Sequence, residues 1–231
     1  MTTEQTPPIE TLLARVPLFA SLAPAELARF ARGSREFTAN KGEVLFHRGD
    51  PCHGFHLIVS GQVKIGFTSA QGSEKVIEIL GAGQTFGEAL MFMDKPYIVF
   101  AQTLADSHLI HLSKATVFEE LERDPTFARK MIASLSMRLH QLVQDVESYS
   151  LRSGRERIIG YLLRDMPDSS GQANSVTITL PTSKGTIASR LNLTQEHFSR
   201  ILHELTEQGL IVVDRRMIRI PDVKRLLAFG N

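Results

Sequence analysis

Gln195, Glu196, Ser199 and Arg200 are four side chains whose chemistry suits the edges of DNA bases. An arginine guanidinium can donate twice to guanine, a glutamate accepts from cytosine N4, and serine adapts to either role. Their spacing puts them on one side of a helix, while Phe198, Ile201, Leu202 and Leu205 fall at helical intervals on the other. Thr194 stands before them as an N-cap, which leaves Gln195 and Glu196 in the first turn. Just upstream, Ile187, Ala188, Leu191 and Leu193 give a shorter helix and its turn an apolar inner side, with Lys184 as a basic group at its start. Two such helices meeting at a tight turn form a helix-turn-helix, whose second helix enters the major groove by its N-terminal residues. Gly209 then closes the second helix. Leu210–Val213 and Met217–Ile220 read as a hairpin around Asp214, Arg215 and Arg216, a basic wing tip able to touch phosphate.

A second constellation points to different chemistry. His53 and His56 in a strand-rich region could begin a cupin-like metal site, the alternative function being a metal-dependent β-roll enzyme or binding protein. Such a site needs further converging ligands, and residues three apart on one regular strand face opposite sides. The chain has no Gly-x-Ser-x-Gly and no Walker loop, so no catalysis and no metal are expected. The single cysteine, Cys52, allows no internal disulfide and no cysteine-ligated iron–sulfur cluster within one chain.

These residues need elements to place them, and the chain divides into three stretches. Residues 1–123 hold two short helical patterns, Ile9–Arg15 and Pro24–Ala31, followed by many short apolar runs punctuated by glycine. Val44–Phe46, the alternating Phe55, Leu57 and Val59, the alternating Val63, Ile65 and Phe67, Val76–Leu80, Val99–Leu104 and Leu109–Leu112 predict a barrel or jelly roll. Residues 124–150 read as one long helix, and residues 151–231 as the winged helix. The last stretch holds 12 Lys and Arg against 8 Asp and Glu, in a chain of net charge +1, in keeping with a phosphate-facing surface. No apolar run approaches the roughly 18 residues of a membrane span, and Met1–Pro8 lacks an apolar signal stretch; a cytoplasmic protein is expected.

On the long helix, Ile132, Leu135, Leu139, Leu142, Val146 and Tyr149 alternate spacings of three and four. That is the seam by which two helices zip together, and it predicts a homodimer. Phe127 and Met131 lie off the seam and are free to pack on the β domain.

These motifs resemble those of the Crp/Fnr superfamily of transcription regulators over almost the whole chain. The matching residues are Pro17-Leu18-Phe19 with Leu22, Lys41-Gly42-Glu43-Val44-Leu45-Phe46 with Gly49-Asp50, Gly61 to Ile65, Phe86-Gly87-Glu88, the long helix and the winged helix. The resemblance implies an α+β architecture: an N-terminal cyclic-nucleotide-binding-type β roll, a dimerisation helix and a C-terminal winged helix-turn-helix. It also implies double-stranded DNA and RNA polymerase as partners. Glu196, Ser199 and Arg200 are similar to the Fnr-like pattern that reads TTGAT half-sites, with Thr194, Gln195, Lys184, Arg215 and Arg216 as further DNA contacts. The effector pocket carried over comprises Phe86, Gly87, Glu88, Met91 and Tyr97.

The cAMP-binding relatives carry an arginine after the Gly-Glu pair to hold the cyclic phosphate, but here Tyr97-Ile98 aligns with it, and no arginine lies between Gly54 and Arg123. Leu142-Val143 stands where those relatives place a Thr-Ser pair against adenine, so cAMP is not the expected effector. Glu88 to Asp94 with Pro96, Arg138-Leu139-His140 and Glu196 to His203 resemble the DNR/NNR branch, denitrification regulators that respond to nitric oxide. That resemblance implies haem. An apolar pocket of Leu90, Met91, Phe92 and Met93 beside the seam helix would hold it, with His53, His56, His108, His111 and His140 as candidate axial ligands.

Overall fold

The computed structural model describes residues 7–20, 22–69, 71–163 and 175–230. Its contacts divide the chain into two units, residues 1–139 and 140–231, so the boundary falls inside the long helix.

In the first unit, helices α1 (Ile9–Ala14) and α2 (Pro24–Arg32) precede eight strands. Strands β1 (Ser34–Ala39), β8 (Ser107–Ser113), β3 (Gly54–Ser60) and β6 (Thr85–Phe86) form one four-stranded sheet in that order. Strands β2 (Val44–Phe46), β7 (Phe100–Thr103), β4 (Gln62–Thr68) and β5 (Glu74–Gly81) form the second. All pairings are antiparallel, as the glycine-punctuated short runs predict. Strand β1 has no counterpart in the apolar pattern. It is an edge strand, paired to β8 alone, and its sequence Ser-Arg-Glu-Phe-Thr-Ala is accordingly polar.

Two cores follow from strand alternation. Ile58, Val63, Ile65, Leu80, Phe86, Tyr97, Ala101 and Leu109 fill the inside of the roll. Phe55, Leu57, Ile110 and Leu112, on the opposite faces of β3 and β8, pack with Leu13, Phe19, Phe30, Phe127 and Met131. Phe127 contacts Phe19 and Phe30 at ring-centroid distances of 6.0 and 4.9 Å, so the two off-seam residues do serve the β domain. Helix α3 (Glu88–Phe92) follows β6, and α4 (Lys114–Arg123) follows β8. Glu120 of α4 accepts from Nε of Arg29 on α2 at 2.6 Å.

Helix α5 runs from Pro125 to Leu151. Asp124 starts it, its carboxylate accepting from the amides of Thr126 and Phe127 at 2.8 and 3.0 Å, with proline in the first position.

The second unit contains α6 (Gly154–Leu163), β9 (Val176–Thr179), α7 (Lys184–Arg190), α8 (Gln195–Glu207), the hairpin β10 (Val212–Asp214) and β11 (Met217–Ile220), and α9 (Val223–Gly230). Strand β11 lies between β10 and β9 in an antiparallel sheet. Ile159, Leu180, Ile187, Phe198, Leu205, Ile211, Ile218 and Leu226 share one core.

Candidate nucleic-acid interface and effector region

Helix α8 begins as its sequence requires. Oγ1 of Thr194 accepts from the amide of His197 at 3.2 Å, satisfying one amide of the first turn. Phe198, Ile201, Leu202 and Leu205 are buried, while Thr194, Gln195, Glu196, Ser199 and Arg200 are exposed together on the opposite side. The turn before it is made by Asn192 at φ 57°, a left-handed conformation that asparagine tolerates better than most residues. Gln195 leans back toward α7: a Cβ built on Gly185 would meet its Oε1 at 2.7 Å. Glycine there leaves room for the amide at the mouth of the turn.

The wing separates its two arginines. Arg215 sits at the tip with φ 53° and is exposed. Arg216 donates from Nε to the carbonyl of Leu180 at 2.9 Å, and its own carbonyl accepts from the amide of Leu180 at 2.7 Å. It therefore anchors the wing to the end of β9, leaving Arg215 as the freer cation. Lys184 is partly exposed at the start of α7, where Oγ of Ser183 caps the amide of Thr186.

The seam residues of α5 divide. Ile132, Leu139 and Val146 are 63, 63 and 64 % exposed, Leu142 is exposed and Leu135 half-buried. Large apolar side chains left in water at intervals of seven mark a face that calls for a partner. Val143, also exposed, widens the face beyond the strict spacing. Tyr149 departs from it: half-buried, it donates from Oη to the carbonyl of Arg190 at 2.6 Å. The phenol has a polar partner inside its own unit, which the apolar spacing alone could not reveal.

The five effector residues do not line one pocket. Phe86 and Tyr97 lie in the inner core of the roll, where Tyr97 stacks on Phe46 at 3.6 Å. Met91 belongs to the other core, with α1, α2 and α5. The reason is helical geometry: successive residues of α3 turn by about 100°, so Leu90 and Met91 enter different cores. Gly87 adopts φ 99°, which favours glycine, and so delivers Glu88 into the interior, 5 % exposed.

Arg138, which the sequence marks only as part of the DNR-like motif, has a structural role that the pattern does not give. Arg138 of α5 donates from Nη2 to Glu78 at 2.6 Å and from Nη1 to the carbonyl of Thr85 at 2.7 Å, and its Nη1 lies 3.9 Å from Glu88. Burial raises the Glu88 carboxyl above its ordinary pKa, and the Arg138 charge opposes that shift. A cation thus does reach the Gly-Glu segment, but from the helix, and it is committed to protein acceptors.

Neither histidine reading finds its site. His53 is exposed and His56 buried, and among the described residues no group of three or more His, Cys, Asp or Glu side chains is placed to hold a metal ion. The cupin alternative fails on that geometry. A porphyrin needs an open, mainly apolar slot faced by a ligand. Leu90 and Met91 are instead spent in the two cores, Phe92 packs on Phe118 at 5.7 Å, and Met93 is 52 % exposed. His108 pairs with Glu36 at 2.5 Å, His140 is exposed beside Gln144, and half-buried His111 lies against His56 at 4.9 Å. The residues present at this patch do not fit haem. Among the described residues, no helix is long and apolar enough to cross a membrane.

Comparison with known proteins agrees with this architecture. Residues 36–124 match the cyclic nucleotide-binding domain family and residues 156–229 the Crp-like helix-turn-helix domain family. The chain is 25 % identical over 216 residues to the cyclic AMP receptor protein of Thermus thermophilus, covering 93 % of this chain and 97 % of that one. FixK2 of Bradyrhizobium japonicum shares the fold, with 22 % identity, a TM-score of 0.72 and coverage of 86 and 98 %. DNR of Pseudomonas aeruginosa is 35 % identical, with a TM-score of 0.52, across 97 % of this chain and 99 % of that one. With a β roll, a long helix and a winged helix-turn-helix in that order, and with likeness to DNR along nearly its full length, the chain belongs to the Crp/Fnr family of DNA-binding transcription regulators.

Proposed function

We propose that the protein acts as a homodimer on an inverted repeat of the TTGAT-N4-ATCAA kind and takes its signal from an effector other than cAMP. The observation that carries the DNA reading is the exposed group Glu196, Ser199 and Arg200 on the first two turns of α8, backed by a fully buried apolar side. Dimerisation rests on the exposed face of α5, since two recognition helices must lie about one helical turn of DNA apart. Against cAMP stand Tyr97, sealed in the core, and Arg138, which is engaged by Glu78 and the carbonyl of Thr85. A cyclic phosphate would have to compete with Glu78 and Glu88 for Arg138, the cation that reaches this segment. The input carried over with the DNR resemblance is nitric oxide.

The test is a binding titration on the palindrome and on versions with each half-site guanine changed. Arg200→Ala should cost about 1–3 kcal/mol per half-site and lose the preference for guanine there. Arg215→Ala should weaken all sequences alike and flatten the salt dependence. Equal losses for Arg200→Ala on matched and altered DNA would reduce Arg200 to a phosphate clamp and remove the proposed readout.

A further inference from the structure

The C-terminus of α7 is the scaffold end from which the turn into the recognition helix departs. The last carbonyls of any helix lack partners within it, and here three successive ones are taken by side chains from other helices. Tyr149 of α5 donates to the carbonyl of Arg190 at 2.6 Å. Arg157 of α6 donates from Nη1 to the carbonyl of Leu191 at 2.7 Å and to that of Asn192 at 3.3 Å. Arg190 answers in the other direction: its Nη2 bonds Oδ2 of Asp145 on α5 at 2.6 Å, and its Nη1 contacts the Tyr149 hydroxyl. The pair is withdrawn from water, the Arg190 and Asp145 side chains being 9 and 18 % exposed. A charge-assisted bond in that setting is short, directional and costly to leave half-made.

All of these residues lie in the unit that begins at His140. The final turns of the long helix therefore belong, by their contacts, to the DNA-binding unit. The connection between Leu151 and Gly154 is bridged on both sides, because α5 before it holds Arg190 and α6 after it holds the next two residues, Leu191 and Asn192.

We propose that Asp145, Tyr149 and Arg157 are positioning residues for operator recognition: they weld the helix-turn-helix to the last turns of the dimer helix and so fix the spacing between the two recognition helices. The proposal rests on the homodimeric reading above. In a dimer joined along α5, the weld makes the distance between half-sites a property of a stiff rod. Without it, that distance would depend on a short flexible connection. The weld residues contact no base in this scheme, so they control spacing while Glu196, Ser199 and Arg200 control sequence.

The experiment compares wild type with Tyr149→Phe, which keeps the ring and removes one hydroxyl, and with Asp145→Asn and Arg157→Gln. An operator is first selected by the wild-type protein from random duplexes. A selected half-site other than TTGAT corrects the sequence reading and leaves the weld open to the same test. Each protein is then titrated against the selected half-sites at spacers shortened and lengthened by one base pair, against a single half-site, and against unrelated DNA. Sedimentation and melting temperature are recorded alongside. The expected result is a loss of about tenfold at the optimal spacer and a flattened spacer profile. Affinity for a single half-site and for unrelated DNA should stay at the wild-type level, with dimers intact. Tyr149→Phe carries the test even if the charged-pair variants unfold. A spacer profile in Tyr149→Phe as sharp as in wild type overturns the proposal. So does an equal loss on every DNA together with a lowered melting temperature, which would mark the contacts as simply structural.

Discussion

Acid should loosen the N-terminal unit through one side chain. His56 lies inside the roll, stacked on Phe86 at 4.9 Å, with Phe46, Phe37 and His111 around it. Among the described residues, its Nδ1 has no hydrogen-bond partner. Burial, helped by the neighbouring His111 and Arg35, lowers its pKa from 6.5 to about 3. The unfolded chain offers the same imidazole to water, where it takes a proton near its ordinary pKa. Because the unfolded state binds the extra proton, the stability held by neutral His56 is complete above pH 6.5 and is lost as pH falls toward 3. Each unit of pKa difference corresponds to about 1.4 kcal/mol, so moving from about pH 7.5 to about pH 5 removes roughly 2 kcal/mol through this residue alone. Urea unfolding at both pH values, on wild type and on His56→Phe, measures it. The phenyl ring keeps an aromatic partner for Phe86 and cannot titrate. The pH-dependent loss should be about 2 kcal/mol smaller in the variant, with unchanged denaturant slopes. His111, held low by burial beside Arg35, and Glu88, raised by burial, act in both proteins and cancel in the subtraction. Equal acid losses in the two proteins would refute a buried, neutral His56.

Two further outcomes test the effector and assembly readings. Leu139→Asp places a charge in the middle of the exposed apolar face of α5, which as a monomer surface would tolerate it; sedimentation should show monomers and operator binding should vanish, whereas an intact dimer would remove the seam. Millimolar cAMP should leave the melting temperature and operator affinity unchanged, because Arg138 is occupied and Tyr97 is buried; a saturable rise in melting temperature would show a working nucleotide site.

The parts legible in the sequence were those whose local and global demands coincide. Thr194, the apolar stripe through Phe198 and Leu205 and the exposed Glu196, Ser199 and Arg200 are all consequences of one helix period, and the helix forms where that period says. The glycine-bounded strands of the roll were readable for the same reason. Strand β1 was not, because an edge strand buries little and carries few apolar residues. Met91 parts from Phe86 and Tyr97 because contiguity in sequence is not shared burial: Leu90 and Met91 are adjacent and enter different cores. Tyr149 and Arg138 were invisible in their roles for a third reason. Their partners, Arg190 and Glu78, lie 41 and 60 residues away in the chain, and no periodic pattern encodes a pairing at that distance.

Arg138 has a consequence for how such a protein can change over generations. Phe127, Met131 and Arg138 form one stripe of α5, and Ile132, Leu139 and Val146 form the stripe beside it, displaced by about 100° of helix rotation. The residue that ties α5 to Glu78 and the Gly-Glu segment and the exposed apolar residues of the seam are thus immediate neighbours on one helix. An insertion or deletion in this helix would turn both stripes together, so the Arg138 contact and the exposed apolar face cannot drift independently. Point substitution is the freer route. A change at Glu78 or Glu88 on the roll alters the Arg138 contact while both stripes of the helix stay in phase.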